Sequence, residues 1–171
     1  MIYPIVKYGN AVLEQCGADV TEFDAPDLYK LVADMFESMY AVKGVGLAAP
    51  QIGISQRLAV IDTSIGEDQS AKIVLINPEI IHVEGSQKSE EGCLSIPTFR
   101  EQVNRPKTVT VRARDAAGQQ FEMTGEDLLA RAFLHETDHL SGRLYISHVS
   151  ALKRDLIRRK IRKLQKLGEW D

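Results

Sequence analysis

At 171 residues, with 44% hydrophobic and 26% charged residues, the chain has the size and composition of one globular domain able to bury a core. It contains no apolar run near the roughly 20 residues that span a bilayer, and its start, Met1 to Lys7, lacks the basic and apolar regions of a signal peptide, so a cytoplasmic protein without a membrane or DNA partner is expected over 1–171. The net charge of −3 is unevenly spread: residues 150–171 hold eight Lys/Arg against three Asp/Glu, so an acidic body carries a basic tail that would be the part to meet a polyanion.

Residues 1–22 read as irregular, punctuated by Tyr3-Pro4, Gly9-Asn10 and Gly17. Asp24 is placed as an N-cap with Pro26 in the first turn of a helix, along which Leu28, Leu31, Val32, Met35, Phe36, Met39 and Tyr40 recur at helical spacing until Gly44 stops it. This stripe reads as core. The next stretch, Gly44-Val-Gly-Leu-Ala-Ala-Pro-Gln51, has almost no side-chain bulk. It suits either a tight helix-to-sheet turn or a backbone that comes close to a ligand, with Gln51 able to hydrogen-bond a substrate oxygen.

Strands are expected at Arg57–Thr63 and Lys72–Asn77, after which Asn77-Pro78 turns the chain into Glu79–Glu84. Arg105–Asp115 and Gln119–Thr124 make a hairpin across Ala116-Ala-Gly118. Thr124 with Asp127 resembles a capping box opening a helix from about Gly125 to Leu140. A last helix, Ser150 to about Leu167, sets Leu152, Leu156, Ile161, Leu164 and Leu167 among basic residues. Antiparallel strands around a buried helix, with a further helix towards each end, predict an α+β fold.

The chemistry concentrates in His135-Glu-Thr-Asp-His139. Two imidazoles four residues apart on a helix face one point, and Glu136 lies on the flank, able to act as a base without occupying a coordination position. The set needs a third ligand. A metzincin-type protease would place histidine where Tyr145 stands, and His148 comes three residues too late. A gluzincin would need a later glutamate, and Glu169 near the end is a poor candidate; His82 lies in a strand-like run. Upstream, Cys93 is preceded by Gly92, which permits close backbone approach, and a thiolate with two imidazoles leaves a position open for water. Cys16 has no such surroundings and reads as a buried thiol. Two other readings compete: a metalloprotease using the same helix, and a ribosome- or RNA-binding module whose metal is structural. The structural site would normally use four protein ligands.

Three segments, Gly44–Gln51, Glu91-Gly-Cys-Leu-Ser95 and His135–His139, occur in the order and spacing of the bacterial peptide deformylases, and the chain resembles that family over nearly its whole length. It departs in having Leu134 where the family usually has glutamine. The resemblance implies removal of the formyl group from N-formylmethionine at the start of new polypeptides. Cys93, His135 and His139 would hold the metal, Glu136 would move the proton, and Gln51 with the Leu94 backbone N–H would stabilise the oxyanion. Backbone around Val45, Gly46 and Gly92 would line the peptide, with Leu128 and Ala132 in the methionine pocket and an Asp138–Arg105 pair bracing the helix. The family also implies ferrous iron as the natural metal, replaceable by zinc or nickel, and docking at the ribosome through the basic C-terminal helix.

Overall fold

The computed structural model describes residues 1–170, leaving Asp171 at the end of the basic tail outside it. Among the described residues, three α-helices, α1 (Pro26–Ala41), α2 (Asp127–Leu140) and α3 (Ala151–Lys166), accompany seven strands. β1 (Gly46–Ala48), β2 (Leu58–Ile61), β3 (Ile73–Glu84), β6 (Thr108–Arg114) and β7 (Gln120–Glu126) form an antiparallel sheet in the order β1-β2-β3-β6-β7, and β4 (Gln87–Cys93) pairs with β5 (Ile96–Arg105) in a separate hairpin. The expected α+β architecture, with antiparallel sheets around a central helix, is what the chain adopts.

α2 is central because it is buried on two sides. Ala130, Phe133 and Leu140 pack on the sheet against Ala48, Ala59, Ile61, Leu75, Val109 and Val111. At i, i+4, i+7 and i+11, Leu128, Ala132, His135 and His139 share the opposite meridian and face the hairpin. The small residues on both strands and helix let the backbones approach closely, which places the β1 edge beside the catalytic-looking face.

Several local expectations are corrected. α1 starts after Ala25 rather than Asp24, whose φ of 53° is outside the helical range. Thr124 caps nothing: its hydroxyl pairs across the sheet with Thr110 at 2.8 Å, and α2 begins after Glu126 without a side-chain cap. The chain does not turn at Asn77-Pro78. β3 runs through it with a register shift, because Asn77 at φ 50° absorbs the irregularity and its side chain bonds both backbone groups of Val20, at 2.9 Å each. Cys16 is exposed, not buried. On α3 the buried positions are Ile157 and Ile161, whereas Leu152 is 71% exposed and Leu156 and Leu167 also face solvent. The β4–β5 hairpin lies between Glu84 and Arg105, where the sequence suggests no element.

Asp62, fully buried just past β2, organises the loop that follows. Its carboxylate accepts from the Tyr40 hydroxyl at 2.5 Å, from both the amide and hydroxyl of Ser64, and from the Gly66 amide. Its own amide donates to the Val45 carbonyl at 2.8 Å, which holds the approach to β1. Burial pushes this carboxyl up, but the hydrogen bonds from Ser64 and Tyr40 outweigh it and leave it below the usual carboxylate range. A group lowered in the folded state contributes stability above its unfolded pKa of about 4, and that contribution is lost as pH falls through the folded value. Asp62→Asn is therefore expected to lower the thermal midpoint at pH 7, with the gap to wild type closing below about pH 4. A gap that stays constant across that range in calorimetric scans contradicts this.

Candidate active site

The last residue of β4 and one face of α2 meet at a point. Cys93 Sγ lies 3.3 Å from His139 Nε2, which lies 3.2 Å from His135 Nε2, and the three donor atoms all fall within 4.8 Å of one another. Separations of this size suit three atoms sharing one tetrahedral cation at bond lengths of about 2.0–2.3 Å. Electrostatics agrees. Burial lowers the His135 imidazole, but Cys93 and Glu91 more than offset it, so the surrounding groups gather positive charge here. Burial and neighbouring His135 hold His139 well below its ordinary value, as the neutral form a metal ligand requires. The residues present therefore fit a cation bound by one thiolate and two imidazoles.

His135 is oriented from behind. Its Nδ1 lies 2.6 Å from Glu91 Oε1, which assigns Nδ1 the proton and turns the Nε2 lone pair towards Cys93. Glu91, 4% exposed, also accepts from Arg105 at 2.7 and 3.2 Å and from Arg131 at 2.6 Å. Burial pushes the Glu91 carboxyl up, but His135 and Arg105 hold it far below the usual carboxylate range. Arg105 reaches on to Asp138 at 2.9 Å, so the expected Arg105–Asp138 pair is present as one arm of a larger buried network. Sequence reasoning missed Glu91 and Arg131. The available signal was alternation: Glu91 stands two residues before Cys93 in a strand and so shares its face.

Glu136 points elsewhere. It is 3% exposed, its Oε2 has no hydrogen-bond partner among the described residues, and burial raises its carboxyl to about 7. A carboxyl near neutrality can both take and return a proton at physiological pH. Room for it comes from Gly46 in β1. A Cβ there would collide with the Glu136 carboxylate, coming to 2.9 Å of its Cδ, so no residue with a side chain fits that position without displacing Glu136.

Gln51 closes the site from the turn after β1. Its Oε1 accepts from the Ala48 amide at 3.0 Å, which aims Nε2 towards Cys93 Sγ at 3.6 Å and Ser95 Oγ at 3.3 Å. Leu94 follows Cys93 in the turn to β5. A cavity of about 440 Å³ runs past these residues, lined by Val45, Gly46, Gly92, Leu128, Ala132 and Glu136 among others. One side of it is β1, which pairs only with β2 and is therefore a sheet edge. A larger cleft of about 920 Å³ beside the N-terminal segment touches Cys93 and Leu94 but neither histidine. His82, exposed in β3, and Cys16 lie outside the site.

A half-buried Cys/His/His donor set, a carboxyl poised beside it and a groove bounded by an open strand define a metal-dependent hydrolase acting on an extended chain. The family model for polypeptide deformylase matches residues 2–155. A peptide deformylase of Acidobacterium capsulatum is 63% identical over 170 residues, covering 99% of both chains, and one of Thermodesulfovibrio yellowstonii is 47% identical over 161 residues, covering 94% of this chain and 97% of its own. The crystal structure of a peptide deformylase from Legionella pneumophila superposes with a TM-score of 0.90 at 43% identity, over 100% of this chain and 99% of that one. The chain belongs to the polypeptide deformylase family, whose members are metal-dependent enzymes.

Proposed function

We propose that the reaction of this family, removal of the N-formyl group from nascent peptides, is carried out here by one catalytic domain spanning 1–171, on the residues gathered around Cys93. The observation that carries the reading is the convergence of Cys93, His135 and His139 beside a buried, unpartnered Glu136 at the open edge of β1.

Cys93, His135 and His139 would hold the metal, which when bound activates water and polarises the formyl carbonyl. Glu136 takes the proton of the attacking water and delivers it to the amine nitrogen as the formyl C–N bond breaks, so that formate and a free N-terminus result. The Gln51 Nε2–H and the Leu94 backbone N–H face the developing oxyanion. Val45 and Gly46 at the β1 edge, with Gly92 opposite, pair with the peptide as an added strand, while Leu128 and Ala132 receive the methionine side chain. The metal is ferrous iron, with zinc or nickel as functional replacements; a thiolate and two imidazoles accommodate all three.

Formate release from a formyl-methionyl tripeptide, measured alongside casein cleavage, tests the reading. Metal-loaded protein is expected to release formate and leave casein intact, and chelation to abolish release until Fe(II), Zn(II) or Ni(II) is restored. Absence of formate from metal-loaded protein overturns it. Iron as the native metal further predicts loss of activity in air as the metal and Cys93 oxidise; undiminished activity after aerobic purification contradicts it.

A nascent-peptide substrate supports a cytoplasmic enzyme acting beside the translating ribosome. No helix among the described residues is long and apolar enough to cross a membrane. Docking on the ribosome through α3 is supported by Arg159, Lys160, Arg162, Lys163 and Lys166, all exposed. Because Ile157 and Ile161 are core residues, charge reversal at these exposed positions, followed by ribosome cosedimentation, is a cleaner test than deleting the helix. Unchanged cosedimentation would reject docking.

A further inference from the structure

The β4–β5 hairpin carries Cys93 and one wall of the groove, yet it is only two strands wide, and a two-stranded sheet has little stability of its own. Near the site its register also breaks. Gly92 faces Arg100 whereas Cys93 faces Ile96, so Pro97, Thr98 and Phe99 bulge out of the ladder. Thr98 sits at φ 71°, a conformation that a β-branched residue adopts only when its surroundings impose it. Thr98, Phe99 and Arg100 line the groove beside Gly92 and Leu128.

Two buried aromatic residues that the mechanism does not use impose that conformation. The Tyr145 hydroxyl donates to the Phe99 carbonyl at 3.2 Å. The Trp170 ring meets the Phe99 ring edge-on, with centroids 6.2 Å apart and planes at 61°. Trp170 is itself fixed, since its Nε1–H donates to the Tyr8 carbonyl at 2.8 Å, and the Tyr8 amide donates to the Ser95 carbonyl at 2.8 Å. The N-terminal segment, the hairpin turn and Trp170 thus close a circuit around the bulge. Bulges beside active sites re-aim side chains, and this one turns Thr98–Arg100 into the groove.

We propose that Tyr145 and Trp170 are positioning residues that lock the Pro97–Phe99 bulge, and with it the wall gripping the peptide downstream of its first residue. The inference rests on the groove assignment above. Neither residue lines the groove that holds Leu128 and Ala132, so their effect grows with peptide length. Tyr145→Phe keeps the ring that stacks on His135, at 6.3 Å and 21°, and removes only the link to Phe99.

The test compares N-formylmethionine with a formyl-methionyl tripeptide and follows amide hydrogen exchange at residues 98–100. Tyr145→Phe is expected to raise KM for the tripeptide about three- to tenfold, the range a single hydrogen bond carries. Its kcat, metal content and KM for N-formylmethionine should stay at wild-type values, while exchange at 98–100 accelerates. Trp170→Ala should do the same more strongly, and Trp170→Phe, which retains an aromatic edge, should recover part of the loss. Equal KM changes for both substrates, or unchanged exchange at 98–100, overturn the proposal. If wild-type protein released no formate from either substrate, the deformylase reading would fail instead, and the exchange measurement would still decide whether the bulge is locked.

Discussion

Glu136→Ala is expected to lower kcat for formate release by about 10²- to 10⁴-fold, the range that a positioned general acid–base group contributes, with bound metal unchanged. The split follows from the geometry. The carboxylate is buried against Gly46, outside the Cys93/His135/His139 donor set, so removing it takes away proton transfer and leaves the cation's ligands in place. The fold should survive as well, since Oε2 makes no hydrogen bond among the described residues that the substitution would break. Cys93→Ala is the comparison: it removes a donor and should lose metal and rate together. Metal analysis beside steady-state kinetics separates the two. If Glu136→Ala lost its metal, or retained full activity, the assignment of Glu136 as proton carrier would fall.

Glu91→Ala has the largest expected effect on stability. The carboxylate is the one acidic partner found for Arg131 and one of two for Arg105, both guanidiniums being buried, and it fixes the His135 tautomer. Removing one member of such a buried ionic cluster strands the others without compensation, which costs about 3–5 kcal/mol. A metal ligand deprived of its orienting carboxylate typically binds about 10- to 100-fold more weakly. Denaturant melts of the metal-free protein report the first effect and competition with a chromogenic chelator the second. Glu91→Gln keeps the shape without the charge and should fall between wild type and alanine. A stability change under about 1 kcal/mol, with metal affinity intact, would show that the network is not what holds α2 against the hairpin.

The contrast between Glu91 and the residues around it shows how far the sequence was legible. His135, Glu136 and His139 declared themselves because their spacing is a property of a single helix, and Gly92 marked Cys93 as a place where backbone approaches closely. Glu91 has only strand alternation with Cys93 to mark it, a far weaker signal than a motif on one helix. Its value comes from four groups on three elements converging at hydrogen-bond distance, and nothing in a polar strand announces that. The same segment carries no strand assignment from its sequence. Gln87-Lys-Ser-Glu-Glu has little strand propensity, and the hairpin forms because its inner residues, Ile96 and Val103, pack with Tyr145, Ile157 and Ile161. Thr124 failed as a cap for a related reason: the strand it belongs to runs two residues further, so its hydroxyl is used across the sheet.

By itself the sequence determined the kinds of donor, the helix that carries two of them, and the small-residue stretch whose backbone can come close to a ligand. These are local properties, set by helical repeat, side-chain size and ligand chemistry. Only the tertiary structure decided that Cys93 meets His139 across 46 residues of chain, that the glycine at position 46 exists to admit the Glu136 carboxylate, and that an isolated hairpin is steadied by Tyr145 and Trp170. Contacts so distant along the chain depend on how the sheet, the central helix and the hairpin pack together, and residue spacing alone carries no record of that packing.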